Sequence, residues 1–397
     1  MKRIMFLGAG LMQVQPIRYA RDQGHYVITV DYLPSNPGHE YADEYVNLSI
    51  TDTDAVLKKA EELRIDGIVA YASDIAAPTA AYVAEQLGIP GNPYESVRTL
   101  THKGLFRKFL SENGFNCPRA SSFEDYEYAH RYAQSLALPV FVKPVDSAGS
   151  KGVTRIDDLS GFRSAYEHAL QFSICGQVIV EEAIVRSSYQ VAGDGFAVGG
   201  ELCFRCFANE HFDKLVNGLV PIGESFPAVH DPKGLAEAHR ETQRLIDLLG
   251  MRGGAFNFDF VFTEKGELYF LELGPRNGGN LIPEVTRYAT GVDMIKHTVD
   301  MAVGDPVPRL ALAPCEGYWA SYIVHATESG ELNDIVVSEF LRERIVEQNI
   351  TAKPGDRVEP FIGSNHGLGA MILRFDDQEQ MLQMMDNMEQ YLTLVVE

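Results

Sequence analysis

The chain has 397 residues, 45% of them hydrophobic, enough for two to four domains with ordinary cores. Asp and Glu number 55 against 34 Lys and Arg, and the resulting formal charge of -21 argues against nucleic-acid binding. An anionic ligand therefore needs a local cationic patch or a bound metal. No apolar run approaches the roughly 18 residues of a membrane span, and glycines break the N-terminal run too early for a signal peptide. Five scattered cysteines make no disulfide framework, so a cytoplasmic protein is expected.

Short apolar runs alternate with amphipathic stretches over the first ninety residues. Arg3–Leu7, Tyr26–Asp31 and Gly67–Tyr71 read as strands; Pro16–Gln23, Asp54–Leu63 and Ala76–Leu87 read as helices. That alternation predicts parallel β-α-β units. Helices follow at Thr101–Asn113, Asp125–Ala137 and Leu159–Phe172, with short strands at Pro139–Pro144 and Gln177–Glu182. β-rich sequence runs on to Cys206, and Gly234–Leu249 is helical. Phe256–Phe262 and Leu268–Leu273 flank the tight turn Thr263-Glu-Lys-Gly266. The last ninety residues mix strands at Tyr318–His325 and Ala370–Phe375 with helices near Glu339–Glu347 and Gln378–Leu392.

Gly8-Ala-Gly10-Leu-Met-Gln13 leaves the first strand as a glycine turn, but a dinucleotide fingerprint needs a third glycine where Gln13 stands. Asp31 is a lone acid at a strand end. A small molecule other than NAD at this helix start is the better reading. Phe141-Val-Lys143-Pro precedes Ser147-Ala-Gly149-Ser150-Lys-Gly152, a lysine on a strand and then a loop of small residues with exposed N–H groups. The combination suits phosphate, although it is not a Walker loop. Val178–Ile184 is an apolar strand with Glu181 and Glu182 near its end. The sharpest pattern is Asn257-Phe-Asp259 with Glu272-Leu-Gly274-Pro-Arg276. On neighbouring antiparallel strands Asp259 and Glu272 face one side, as oxygen ligands for a hard cation do, and Arg276 follows with a fork for phosphate or carboxylate. Cys203 and Cys206 have zinc-knuckle spacing without a second pair, so they read as core thiols.

Together these segments resemble the ATP-grasp superfamily, in its carboxylate–amine ligase branch, over nearly the whole chain. The resemblance implies an α/β and α+β protein: a parallel-sheet pre-ATP-grasp domain at 1–98, a two-lobed ATP-grasp domain at 99–305 with a lid about 120–190, and a mixed α/β extension at 306–397. It implies ATP with Mg²⁺, Mn²⁺ being a substitute, small-molecule acid and amine substrates, no membrane partner, and a homodimer. Carried over residue by residue, Lys103, Lys143, Ser147, Gly149, Ser150 and Gly152 would hold the phosphates. Glu181 with the backbone of Ala183 and Ile184 would hold adenine. Gln190 stands where the family has a ribose-binding Glu, and Gly274 where it has a metal-binding Asn. Either Asp259 and Glu272 suffice with water, or Asn277 or Asn280 supplies the missing oxygen. Gly10, Gln13, Asp74, Arg276 and Gly279 would face the substrate, with Arg276 and Lys143 in catalytic roles. The implied reaction transfers the γ-phosphate to a carboxylate and then lets an amine displace it. Alternatives are a carboxylase or formate-using enzyme, and a nucleotide-binding regulator without turnover.

Overall fold

The computed structural model describes residues 1–308 and 310–397. Strands Arg3–Leu7 (β1), Tyr26–Val30 (β2), Glu44–Val46 (β3) and Gly67–Val69 (β4) form a parallel sheet in the order β3-β2-β1-β4. Strands this apolar need cover on both faces. Helices Thr53–Leu63 (α2) and Ala77–Leu87 (α3) cover one, and Val14–Asp22 (α1) covers the other together with the distant helix Met294–Ala302. The helix expected at 101–113 is Lys103–Glu112 (α5), and Tyr94–Thr101 (α4), absent from the sequence reading, precedes it. The break is at His102, whose Nδ1 accepts from the Leu105 N–H at 3.2 Å and so caps α5.

A second sheet is antiparallel: Ala120–Phe123 (β5), Val140–Pro144 (β6), Thr154–Ile156 (β7) and Val178–Glu182 (β8), ordered β5-β8-β6-β7. Tyr126–Ala133 (α6) and Phe162–Gln171 (α7) pack on its apolar face.

The third sheet organises the molecule. Gln190–Val198 (β9), Glu201–Phe212 (β10), Pro221–Phe226 (β11), Gly253–Phe262 (β12) and Leu268–Gly274 (β13) lead into it. The C-terminal strands are Tyr318–Val324 (β14), Gly330–Val337 (β15), Ile345–Gln348 (β16), Arg357–Val358 (β17), Gly369–Phe375 (β18) and Leu392–Val396 (β19). Eight of these run in the order β13-β12-β9-β10-β11-β14-β18-β16, so one sheet continues past residue 306; β17-β15-β19 form a small satellite. Helix Pro232–Leu249 (α8) starts at an Asp231 cap and ends at Gly250 in the left-handed region, and with α4 and α5 it covers one face. Ile282–Thr290 (α9) and Met294–Ala302 (α10) lie on the other, α10 also reaching the first sheet. Alternation along β12 sends Phe256, Phe258, Phe260 and Phe262 into the α8 core and leaves Asn257 and Asp259 on the opposite face.

Near the C-terminus both predicted helices are too long. Glu339–Arg342 (α11) stops before β16, and Gln378–Met385 (α12) stops before Leu392 opens β19. Ile345 pairs with Leu373 and Leu392 with Val337, so strand pairing overrides the helical pattern there.

Gly193 has φ of +110°, and a Cβ on it would stand 2.1 Å from the Cys206 carbonyl oxygen across the β9–β10 pair. Gly193→Ala should therefore cost about 3 kcal/mol in urea unfolding by forcing these strands apart next to Asp194. A wild-type midpoint would show that the pairing tolerates a side chain.

Candidate active site

One row of side chains crosses the third sheet on the face away from α8. Glu272 on β13 pairs in register with Asp259 on β12. The Gln190 amide on β9 donates to Asp259 Oδ1 at 2.6 Å and to Glu210 Oε2 at 2.5 Å. Glu210 on β10 sits opposite Glu224 on β11, which sits opposite Ser321 on β14. Four carboxyl groups thus share one face of adjacent strands. Burial pushes Asp259 up to about 7, with Glu272 beside it adding to the shift. Glu210 and Glu224 are pushed well above the carboxylate range by burial first and by neighbouring acids second, and Glu224 Oε2 has no hydrogen-bond partner. Asp194, on the same face of β9, is raised to about 6 by burial although it accepts from the Gly278 N–H and from Asn257.

The cations come from elsewhere in the chain. Lys103, at the start of α5, reaches Glu272 Oε1 at 2.6 Å and donates to the Ser147 carbonyl at 2.8 Å. One turn later on the same face, Arg107 donates to Glu181 Oε2 at 2.8 Å and to the Leu271 carbonyl at 2.9 Å. Lys143 on β6 donates to Glu181 Oε1 at 2.5 Å. Burial alone would raise Glu181, but Arg107 and Lys143 hold it down at about 2. Arg276 grips Asp74 with both branches, Nε to Oδ1 at 2.9 Å and Nη2 to Oδ2 at 2.5 Å. This pair joins the first sheet's last turn to the end of β13. Asp74, Lys103, Ser147, Glu272 and Gly274 line one narrow pocket.

Several expected contacts are taken by other partners. Gln190 bridges two acids, because a neutral donor between carboxyl groups is worth more there than a free amide. Both oxygens of Glu181 are engaged by cations, and the Ala183 N–H donates to the Pro139 carbonyl at 3.0 Å. Asn277 is 1% exposed and its Oδ1 accepts from Thr298, so it does not complete a cation cage. Gln13 donates to the Tyr71 carbonyl at 2.7 Å, bracing the first sheet instead of facing substrate. Asp31 accepts from Ala9 N–H, Leu33 N–H and Asn36, closing its own turn. Gly10 lies against Gln13, and Gly279 lies so close to Met12 that a Cβ would come 2.6 Å from its sulfur. The Ser150 hydroxyl donates to the Leu219 carbonyl. Gly149 holds φ of +68°, and a Cβ on it would overlap Ser364 Oγ, so the small-residue loop, with Gly152 at its end, is seated on the C-terminal block.

Gly274 also acquires a reason. A Cβ there would stand 2.8 Å from Asp74 Oδ1 and 3.2 Å from Arg276 Nε, so the Asp74–Arg276 pair excludes a side chain at this position.

Among the described residues no three His, Cys, Asp or Glu side chains converge as a metal cage. Asp259 and Glu272 alone fit a cation such as Mg²⁺, which takes one or two protein carboxylates and completes its shell with phosphate oxygens and water. The residues that sequence reasoning missed are Arg107, Asp194, Glu210 and Glu224. Arg107 had a signal in its helical spacing from Lys103; the acids sit singly in apolar strands.

The matches to known proteins follow this geometry. Residues 102–310 match the family model of the carbamoyl-phosphate synthase L chain ATP-binding domain, and residues 322–397 match L-amino acid ligase C-terminal domain 2. The chain belongs to the ATP-grasp ligases. It is 30% identical over 292 residues to the formate-dependent phosphoribosylglycinamide formyltransferase of Burkholderia pseudomallei, covering 69% of each chain. To the N-terminal section of the carbamoyl phosphate synthase large chain of Methanopyrus kandleri it is 26% identical, and it spans about half of that protein, 53%. The fold of L-amino acid ligase from Bacillus licheniformis superposes with a TM-score of 0.82 over 100% of this chain and 99% of that one, at 18% identity. An ATP-grasp ligase of the carboxylate–amine type uses ATP and Mg²⁺. Among the described residues, no helix is long and apolar enough to cross a membrane.

The raised carboxyl of Asp259 fixes a pH signature. A carboxyl with a folded pKa near 7 and an unfolded one near 4 binds its proton more tightly when folded, so stability falls as pH rises through that window. Glu181 contributes the opposite sign, stabilising above about pH 4 and losing that contribution as pH falls toward about 2. Asp259→Asn should raise the urea midpoint of metal-free protein at pH 8 and remove the gain that Mg²⁺ gives wild type. A variant less stable than wild type at pH 8, with the Mg²⁺ effect intact, would take Asp259 out of the cation site.

Proposed function

We propose that this ATP-grasp ligase phosphorylates the carboxylate of an α-amino acid to an acylphosphate and couples it to an amine, releasing ADP and phosphate. The observation that carries this reading is the row of carboxyl groups: its Asp259–Glu272 end is flanked by lysines, whereas its Glu210–Glu224 end is left without an adjacent lysine. The lysine end suits phosphates and Mg²⁺. Bound there, the metal would supply positive charge to the phosphate oxygens. Lys143 and Lys103 would add to that charge and orient the terminal phosphoryl group toward the acid. Arg276, with two N–H groups left after its bonds to Asp74 and the Asn277 carbonyl, would steady the oxyanion of the tetrahedral intermediate.

The other end suits an ammonium group. Burial pushes Glu210 and Glu224 toward the protonated form more than Arg186 and Arg276 oppose it, and an arriving amine would supply further counter-charge. Once the ammonium charge has driven its proton to solvent, such a carboxylate, made more basic by burial, is a suitable base for the proton that the amine must lose before it attacks. The C-terminal block, which carries the likeness to L-amino acid ligases, contributes β14 and Ser321 to this end of the sheet. That supports an amino acid as one of the two substrates.

Adding single acids with paired amines and following ADP should give release that depends on both partners. Glu224→Gln should raise the KM for the amine about tenfold to a hundredfold while the KM for ATP stays near wild type, because a hydrogen bond to a charged group contributes roughly 1.5–3 kcal/mol. Formate or bicarbonate alone driving ADP release would move the chemistry to the carboxylase and formate-using class. An amine KM unchanged by Glu224→Gln would remove the ammonium subsite.

A further inference from the structure

A cavity of about 350 Å³ lies between the first and third sheets, with Pro275, Arg276 and Asn277 in its lining and none of the carboxyl row. Ala77, Ala80, Ala81 and Ala84 of α3, with Val97 and Met301, form most of its wall. Small side chains leave that space, and its size falls within the range of small-molecule sites, on the order of 300–1,000 Å³. Three polar features accompany the apolar wall. Asn277 lines it at 1% exposure, with Oδ1 held by Thr298 and with the Nδ2 donor unpartnered. A buried donor left unpaired is costly, and a ligand carbonyl would satisfy it. β4 pairs with β1 alone, so its second edge is bare, and Ile68, Val69 and Ala70 line the cavity along it. At the exposed end stands Arg252, which makes no ion pair among the described residues, and no described Asp or Glu lines the cavity.

We propose that this cavity binds a small apolar carboxylate carrying an amide, of the kind of an N-acylated apolar amino acid or a short apolar peptide. The amide carbonyl accepts from Asn277 Nδ2, the amide lies along the free edge of β4 as a short strand does, the apolar side chain fills the alanine wall, and the carboxylate meets Arg252. In a chain with a formal charge of -21, a wall that carries Arg252 without an acidic partner and has no described acid of its own selects for an anion. Arg276 is part of the same wall and holds Asp74 of the first sheet, so occupancy is felt at the junction that positions the catalytic arginine. The site stands on the cavity alone, and binding rather than turnover reads it, so its failure leaves the ligase assignment untouched.

The test is calorimetric titration of the full chain with N-acetyl-phenylalanine and with its carboxamide. N-acetyl-phenylalanine should bind with one site per chain, and the carboxamide about two- to fivefold more weakly, the scale of one exposed charge pair. Arg252→Glu, at the exposed mouth, should lower the affinity by a similar factor. Ala81→Leu should abolish binding by filling the cavity, and ATP affinity, measured in parallel, should stay at wild type in both variants. Absence of binding by wild type would overturn the proposal. So would binding that neither variant changes, since the ligand would then sit at the catalytic row.

Discussion

Four carboxyl groups on one face of four strands cannot all ionise in a buried cleft without counter-charge. Glu272, Asp259, Glu210 and Glu224 are placed together by strand register, which is fixed by the alternation that buries Phe256, Phe258 and Phe260 on the opposite face. The hydrophobic core of the third sheet therefore dictates the electrostatics of its other face. Everything around the cleft answers that charge: two lysines and an arginine at one end, an amide between the acids, and carboxyl groups that burial pushes toward the protonated form at the other.

The same constraint ties the parts of the chain together. Lys103 and Arg107 come from the helix that precedes the second sheet, Lys143 from within that sheet, and Arg276 is anchored by Asp74 of the first sheet. Glu181 is where the second sheet meets the third: one carboxylate takes Lys143 from its own sheet and Arg107 from the helix beneath. A buried ion pair of this kind adds little net stability over an apolar replacement, whereas removing one partner leaves an uncompensated charge. Its effect is to fix the second sheet against the third. Gly274 belongs to this scheme, since the close approach of Asp74 to Arg276 leaves no room for a side chain.

Much of this was legible in the sequence. The glycine turn after β1, the lysine–small-residue loop, and Asp259 thirteen positions before Glu272 across a tight turn are local patterns, and local patterns survive in one dimension. The fold class followed from alternating apolar and amphipathic runs. What stayed hidden depends on pairing between distant strands. Glu210 and Glu224 are single acids in apolar strands and gain meaning only when β10 lies beside β11. Gln190 reads as a weak ribose ligand until Asp259 and Glu210 are seen on either side of it. Asn277 looks free in sequence and is consumed by Thr298, which arrives on α10. The C-terminal helices were overextended because the residues of β16 and β19 keep a helical period while their partners hold them as strands.

The central claim is that the acid is activated by the terminal phosphoryl group in the cleft between the lysines and the carboxyl row. Its most direct test follows the carboxylate oxygen. With an acid labelled with ¹⁸O in its carboxylate, a competent amine and ATP, mass spectrometry of the products should find one labelled oxygen in inorganic phosphate and none in a nucleotide. Label in AMP, or phosphate free of label while the amide forms, would contradict the account.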